Sequence, residues 1–266
     1  MLRFLCAIIL FSSGADSAPE WKQALSKSGV GSHPMIEPSR LDYSLSWKGM
    51  LKAGALTIEF APQNIKKSGS FVIKSSASSK GPAASLFPYS HSYWSEIHPK
   101  SLKSKYFHAI ESDSKEKVTT TNRYDQSSVK IEESSTDTKS GATTVEKINF
   151  LQGPARDVFS AILYVRSQKL DVGDEYRLLV LPFKSPYLLN IKVEAKEKHM
   201  STDAIRISFS LKKIDRDTLE FVQYKKLKKP VRLWLSDDSE RVPLELRAAV
   251  YIGDVRAVLT KHTQFK

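Results

Sequence analysis

One stretch of this chain can only be a helix, and nearly everything around it reads as strand. Between Gly153 and Arg166, apolar residues fall at Val158, Phe159, Ile162, Leu163 and Val165. That spacing gathers them on one face of a helix, and a single helix with one apolar face must bury it against a sheet. Gly153 and Pro154 mark its expected start, because proline is tolerated at the first helical position, where no N–H partner is needed. Asp157 then sits near the positive end of the helix dipole.

The strands announce themselves by alternation. Leu41, Tyr43, Leu45 and Trp47 interleave with Asp42, Ser44, Ser46 and Lys48, the period-2 pattern of a strand with one wet face. After Gly49 a second run sets Leu56, Ile58 and Phe60 against Thr57 and Glu59, so the two form a hairpin. Short β-prone runs follow at residues 71–73, 92–94, 106–108, 118–124 and 128–132, with a polar hairpin tip over 134–144 around Gly141. Beyond the helix come 176–181, 187–195, 204–211, 219–224, 231–235, 243–251 and 254–260. The fold class that follows is mainly β. We expect a single-domain antiparallel β-meander over residues 41–266, forming a half-barrel or open barrel wrapped around one central α-helix, since a long meander must curl or cover a face to protect its edges.

The first residues read as an address. Arg3 is followed by the apolar run Phe4 to Phe11 and the small residues Ser12, Ser13, Gly14 and Ala15, the layout of a signal peptide over residues 1–17 with cleavage after Ala15 or Ser17. The apolar run is far short of the roughly 20 residues that a membrane-spanning helix needs. Residues 18–40, carrying Gly29, Gly31, Pro34 and Pro38, read as a linker or N-terminal arm. The expected location is the periplasm. Cys6 lies in the signal segment and leaves with it, which removes thiolate chemistry and disulfides from the mature chain. The formal charge of +12 favours anionic neighbours, such as lipid headgroups or acidic glycans. No zinc-finger spacing, recognition-helix pair or aromatic RNA-binding signature accompanies it, so nucleic acid is not an expected partner.

Three groups of residues carry a resemblance. Tyr43-x-Leu45-x-Trp47-x-Gly49 with Ala53-Gly54-x-Leu56 opens the folded body, and Asp157, Ser160, Tyr164 and Arg166, followed by Leu170-x-Val172-Gly173-Asp174, mark its middle. Trp234-Leu235-Ser236-Asp237-Asp238-x-x-Arg241-x-Pro243-Leu244 and Gly253-x-Val255-x-Ala257 close it. In this order they resemble the bacterial exported family known as domain of unknown function 3108. The resemblance implies an exported, mostly antiparallel β protein. It differs at residues 198–230, where this chain is longer and richer in lysine.

Chemistry-bearing patterns are sparse. His91, His98 and His108 have spacings that match no zinc site, so no metal and no cofactor are expected. Asp237, Asp238 and Glu240 could be paired acid/base carboxylates, but they fit a turn between strands better, with Arg241 pairing with one of them to lock the hairpin. Gly-x-Ser-x-Gly, phosphate-binding glycine loops and His-Glu-x-x-His are absent, so the chain is not expected to be an enzyme.

Two candidate binding features remain. Trp47, Phe159, Tyr164 and Trp234 are candidates to line an apolar concavity beside the helix, where a ligand pocket would measure roughly 300 Å³ or more. Lys225, Lys226, Lys228 and Lys229 could dock on an anionic membrane surface, or protect a strand edge. The functional expectation is an exported, non-catalytic envelope protein that binds or carries a hydrophobic or anionic component, such as a lipid. A scaffold or assembly factor with protein partners is the alternative, and an envelope-glycan hydrolase is a second one, requiring two carboxylates about 5–10 Å apart across one cleft.

Overall fold

The computed structural model describes residues 18–27, 29–62, 69–223, 229–250 and 253–265. The signal segment expected at 1–17 and Lys225, Lys226 and Lys228 lie outside the described residues. In chain order the elements are α1 (Glu20–Gln23), β1 (Ser39–Trp47), β2 (Leu51–Phe60), β3 (Phe71–Ser79), α2 (Pro82–Leu86), β4 (Tyr89–Ile97), β5 (Ser104–Asp113), β6 (Glu116–Tyr124), β7 (Val129–Asp137) and β8 (Thr143–Phe150). They continue with α3 (Val158–Ser167), β9 (Glu175–Val180), β10 (Tyr187–His199), β11 (Thr202–Ile214), β12 (Phe221–Val222), β13 (Val231–Ser236), β14 (Pro243–Val250) and β15 (Gly253–Gln264).

Among the described residues all fifteen strands belong to one antiparallel sheet, in the order β8-β7-β6-β5-β4-β3-β2-β1-β15-β14-β13-β11-β10-β9, with β12 pairing beside β11. The first and last strands pair at its middle, with Ser39 opposite Gln264 and Trp47 opposite Val255. Each half is then a meander running outward from that seam. The ladder is open, because its terminal strands β8 and β9 do not pair. Yet the chain passes from one to the other through the segment that holds α3.

The hairpin joining β1 to β2 turns at Lys48 and Gly49, whose φ values of 52° and 71° are those of a tight turn that follows the strand twist. Several strands run further than their apolar runs predicted. β7 continues to Asp137 and β8 starts at Thr143, so the polar tip expected over 134–144 shrinks to a short turn. Serines and threonines on the wet face sustain a ladder as long as register with the neighbour continues, as Ser134–Val145 and Ser135–Thr144 do.

Helix α3 corrects two expectations. It begins at Val158 rather than at Pro154, because Arg156 is already committed to the sheet: its N–H donates to Leu179 O and its carbonyl accepts from Leu181 N. A residue bonded into a ladder cannot start a helix. Asp157 is the cap instead, fully buried, accepting from the N–H groups of Phe159 and Ser160 at 2.8 and 3.0 Å and from Ser95 Oγ at 3.1 Å. The helix is also not buried on one face only. Eight of its ten residues are buried, and Ile162, expected to face the core, is half-buried. Phe159 and Leu163 pack with Leu41, Phe60, Ile73 and Phe107 from one half of the sheet, while Tyr164 and Val165 pack with Leu178, Ile191, Ile205 and Leu235 from the other.

The helix C-terminus is held by two buried arginines. Arg166 Nε donates to the carbonyls of Glu240 and Arg241, each at 3.1 Å, and its Nη1 to Pro34 O at 3.3 Å. Arg241 in turn donates through Nη1 to Arg166 O at 2.8 Å and to Gln168 O, and through Nη2 to Lys169 O at 2.8 Å. The expected pairing of Arg241 with a carboxylate of its own hairpin is therefore replaced by a cap on the last helical carbonyls. This is where a helix end leaves acceptors unsatisfied and its dipole favours a cation.

The described part of residues 18–40 does not hang free as a linker would. Trp21 is 2% exposed, donates from Nε1 to Leu219 O at 2.9 Å and packs with Val129, Phe150, Leu179 and Leu181. Gly31 N donates to Ser167 Oγ and His33 N to Ser167 O, so the arm straps across the end of α3. A Cβ at Gly31 would lie 2.0 Å from Ser167 O, an approach only glycine permits. Side chains also join the two sheet ends. Tyr124 Oη donates to Leu181 O at 2.6 Å, Lys184 pairs with Glu133 at 2.5 Å and Arg216 with Glu146 at 3.2 Å.

Candidate functional site

Alternation along β2 sends Leu56, Ile58 and Phe60 to one face of the sheet, and Tyr43 on β1 stands opposite Leu56. Across from them, Phe159 and Ile162 share one side of α3, three residues apart. Together with Leu233, Pro243, Glu245, Leu246 and Ala257 these residues line a cleft of about 110 Å³. Its walls are almost wholly apolar. The Tyr43 hydroxyl donates to Pro243 O at 2.9 Å, and burial pushes its pKa up, so it stays neutral. The carboxylate of Glu245 is taken up by His199 Nε2 at 2.8 Å and by Arg247; burial raises its pKa, but those two partners outweigh burial and hold it below the usual range. Leu56, Ile58, Ile162 and Leu246 remain only half-buried. That leaves apolar surface facing the cleft that none of the described residues covers.

Of the four residues expected to line such a concavity, only Phe159 does. Tyr164 lies on the other side of α3, beneath the Arg156 guanidinium at 4.5 Å. Trp47 is half-buried at the end of β1, edge-on to Phe87 with centroids 5.7 Å apart. Trp234 belongs to a polar cluster, stacked on His199 at 4.5 Å, overlaid by Arg247 at 4.8 Å and donating to Glu197 Oε1 at 2.8 Å. The aliphatic residues Leu56, Ile58 and Leu246 were missed, although the β2 alternation already placed Leu56 and Ile58 on one face.

The remaining sequence candidates are separate from the cleft. Asp238 Oδ1 accepts from Ser236 Oγ and from the N–H groups of Glu240 and Arg241, which is the turn expected there. His98 Nδ1 accepts from Ser101 N, and His108 Nδ1 meets Thr121 Oγ1 at 2.9 Å. Of the lysine cluster only Lys229 is described, and it is exposed.

His91 is better placed than its sequence suggested. Tyr89 and Tyr93 each donate to Glu111 Oε1 at 2.7 Å, which leaves Tyr89 Oη to accept from His91 Nδ1 at 3.3 Å and His91 Nε2 to accept from Ser75 Oγ at 3.2 Å. A carboxylate can only accept, so the tyrosines' roles fix the histidine tautomer. Burial pushes His91 down to about 4, against a smaller opposing effect of Glu111. Ser75 is 5% exposed, and the apolar cleft does not reach it. The arrangement orients a hydroxyl but gives it little access to a substrate. Its members come from three strands, so no local motif could have revealed it.

A second cavity, of about 400 Å³, lies on the far side of α3 between the N-terminal arm and β9. Lys22, Lys27, Lys103, Arg156 and Arg177 line it together with Leu25, Val30, Leu178 and Leu179, and among the described residues no carboxylate does.

The family described as protein of unknown function (DUF3108) matches residues 42–260 of this chain. The chain belongs to that family. No curated protein matches it. Among solved structures, this DUF3108 chain resembles a β-barrel-like protein of domain of unknown function DUF1849 from Brucella abortus, at a TM-score of 0.54 and 10% identity over 87% of this chain and 99% of that one. A protein with a YmcC-like fold from Bacteroides fragilis also matches, at a TM-score of 0.32 and 8% identity over 88% of this chain and 100% of that one. The first likeness extends to the fold alone. Within this DUF3108 chain, residues that carried the family resemblance prove to be the fittings of α3: Asp157 caps its start, and Arg166 and Arg241 lock its end.

Proposed function

We propose that this protein is an exported, non-catalytic binding or carrier module of the bacterial envelope, holding one apolar chain in the cleft beside α3. In this reading the sheet curls as an open barrel around the helix, and the signal-like segment at 1–17 directs the protein to the periplasm. The observation that carries the reading is the cleft itself, apolar on nearly every side and bordered by Leu56, Ile58, Ile162 and Leu246, which stay half-buried. At about 110 Å³ it is smaller than the roughly 300 Å³ expected of a site that engulfs a whole ligand. Apolar cavities of roughly 150 Å³ hold a molecule the size of benzene. The occupant is therefore the end of one alkyl chain, with the rest of the ligand outside. Titration with an environment-sensitive fatty-acid probe tests this. Saturable binding that Leu246→Trp abolishes without lowering the unfolding midpoint supports the reading; no saturable binding by the unsubstituted protein rejects it.

A second reading, a scaffold for protein partners, draws on β8. It is a terminal strand of the sheet, its residues 143–147 are all exposed, and such an edge can accept an added strand from a partner. Val145→Pro would remove such a partner and leave fatty-acid binding intact.

A further inference from the structure

The groove on the opposite side of α3 has the chemistry of an anion site, and no sequence pattern pointed to it. Four separated parts of the chain bring cations there: Lys22 and Lys27 from the N-terminal arm, Lys103 from the turn between β4 and β5, Arg156 from the approach to α3, and Arg177 from β9. Charges of one sign in a concave, partly apolar wall focus their field on the space between them. Among the described residues no carboxylate lines the groove, so none of them neutralises that field from within. Arg177 has a neighbour, Glu175 at 3.6 Å, but both are about half-exposed, and such surface pairs are weak. Lys22 donates to the neutral Gln152 Oε1.

Arg156 is the fixed member of the set. Its Nη1 donates to Leu102 O and to Ser160 Oγ, and its guanidinium plane covers the Tyr164 ring, so the side chain is positioned before any ligand arrives. Among the described residues Arg156, Lys27 and Lys103 form no ion pair, and the one carboxylate that acts on Arg156 is Asp157, which is buried and turned to its own partners at the start of α3. A guanidinium presents a planar fork of donors that matches phosphate oxygens, and mobile lysines at the rim add point charges around it. Leu25, Val30, Leu178 and Leu179 give the same groove an apolar wall.

We propose that this groove binds a phosphate-bearing anion, with Arg156 as its anchor and Lys27 and Lys103 as its rim. The phosphate can be free or can be the headgroup of an amphiphile whose apolar part lies on Leu178 and Leu179. The two sources share one chemistry and separate by experiment. Because the apolar cleft meets α3 at Phe159 and Ile162 while this groove meets it at Tyr164, nearly opposite on the helix, the proposal stands or falls independently of the cleft.

The test is isothermal titration of the protein with inorganic pyrophosphate and, separately, with a short-chain phosphatidic acid below its micelle concentration. Binding should be saturable and should weaken as salt is raised past physiological strength, where the screening length is about 8 Å. Binding of the phosphatidic acid should tighten from pH 5 to pH 7, as its phosphomonoester takes its second charge near a pKa of about 6. Arg156→Gln removes the anchor but also two internal hydrogen bonds. The deciding variant is therefore Lys27→Glu/Lys103→Glu, both exposed positions, which should weaken binding by at least about tenfold with the unfolding midpoint unchanged. Pyrophosphate binding with no gain from the lipid assigns the groove to free phosphate, and tighter lipid binding assigns it to a headgroup. Absence of saturable binding to either, or binding that the double variant leaves unchanged, overturns the proposal.

Discussion

Replacing Arg241 by methionine removes the clamp on the end of α3 while keeping most of the side chain's volume. The loss can be worked out from its contacts. Three carbonyls lose their donor, those of Arg166, Gln168 and Lys169. Lys169 is exposed, so water can replace the donor there, whereas Arg166 and Gln168 are 1% and 6% exposed. Two buried acceptors left unpaired cost about 1–3 kcal/mol each. Some of this returns, because Arg241 and Arg166 repel one another. Burial and then Arg241 push Arg166 down to about 10, and relieving that repulsion gives back on the order of 1–2 kcal/mol. Taken at the middle of those ranges, the net expectation is a loss of about 2–3 kcal/mol, read as a fall in ΔG from urea denaturation followed by far-ultraviolet circular dichroism. Arg241→Lys keeps the charge but not the fork that reaches three carbonyls, so it should fall between the two. A loss below about 1 kcal/mol for Arg241→Met would show that like-charge repulsion outweighs the capping bonds, and the description of α3 as locked at its C-terminus would be wrong.

Three further expectations follow from particular contacts. Ile162→Asp should destabilise the protein by less than a fully buried site would imply, about 1–3 kcal/mol, because Ile162 borders the cleft and the carboxylate can reach water; a protein that does not fold at all would place Ile162 in the closed core. Gly31→Ala forces a Cβ onto the Ser167 carbonyl and should cost about 1–3 kcal/mol, with faster hydrogen exchange at the His33 amide than in the unsubstituted protein; unchanged exchange would mean that the arm does not depend on this contact. His91 is pushed down to about 4 against an ordinary value of 6.5, so between those pH values the unfolded chain takes up a proton that the folded one refuses. Stability from this group is thus complete above pH 6.5 and falls as the pH drops toward 4, by about 1–2 kcal/mol once partial solvent screening is allowed for; His91→Gln should flatten that slope, and an equal slope in both proteins would remove His91 from the explanation.

What could be read from the sequence was what depends on near neighbours. The alternation from Leu41 to Trp47 predicted β1 and its wet face, and Leu56, Ile58 and Phe60 predicted β2, because period 2 is a property of a single strand. The existence of α3 was legible for the same reason. Its start was not, because Arg156 bonds to Leu179 and Leu181, more than twenty residues away, and no local rule weighs that ladder against a helical turn. Arg241 misled in the same way: the nearest acids in sequence are Asp237, Asp238 and Glu240, but its guanidinium reaches carbonyls about seventy positions back. The pairing of β1 with β15 joins the two ends of the chain and is invisible to periodicity. Aromatic residues drew attention as ligand contacts, yet Trp234 and Trp47 find partners elsewhere, and it is aliphatic side chains on β2 and β14 that stay uncovered beside the helix. The cationic groove escaped notice because its lysines and arginines come from positions scattered between 22 and 177 and meet only in the fold.

The proposed occupant of the space beside α3 is an apolar chain. Native mass spectrometry of the protein purified from its own envelope addresses it directly, with Leu246→Trp prepared in parallel to fill the cleft. The unsubstituted protein should carry an added mass that corresponds to an acylated molecule, released on collisional activation, and the equally well folded Leu246→Trp protein should lack it. An unsubstituted protein that appears only at its bare mass, or an adduct retained in full by Leu246→Trp, would contradict the proposal.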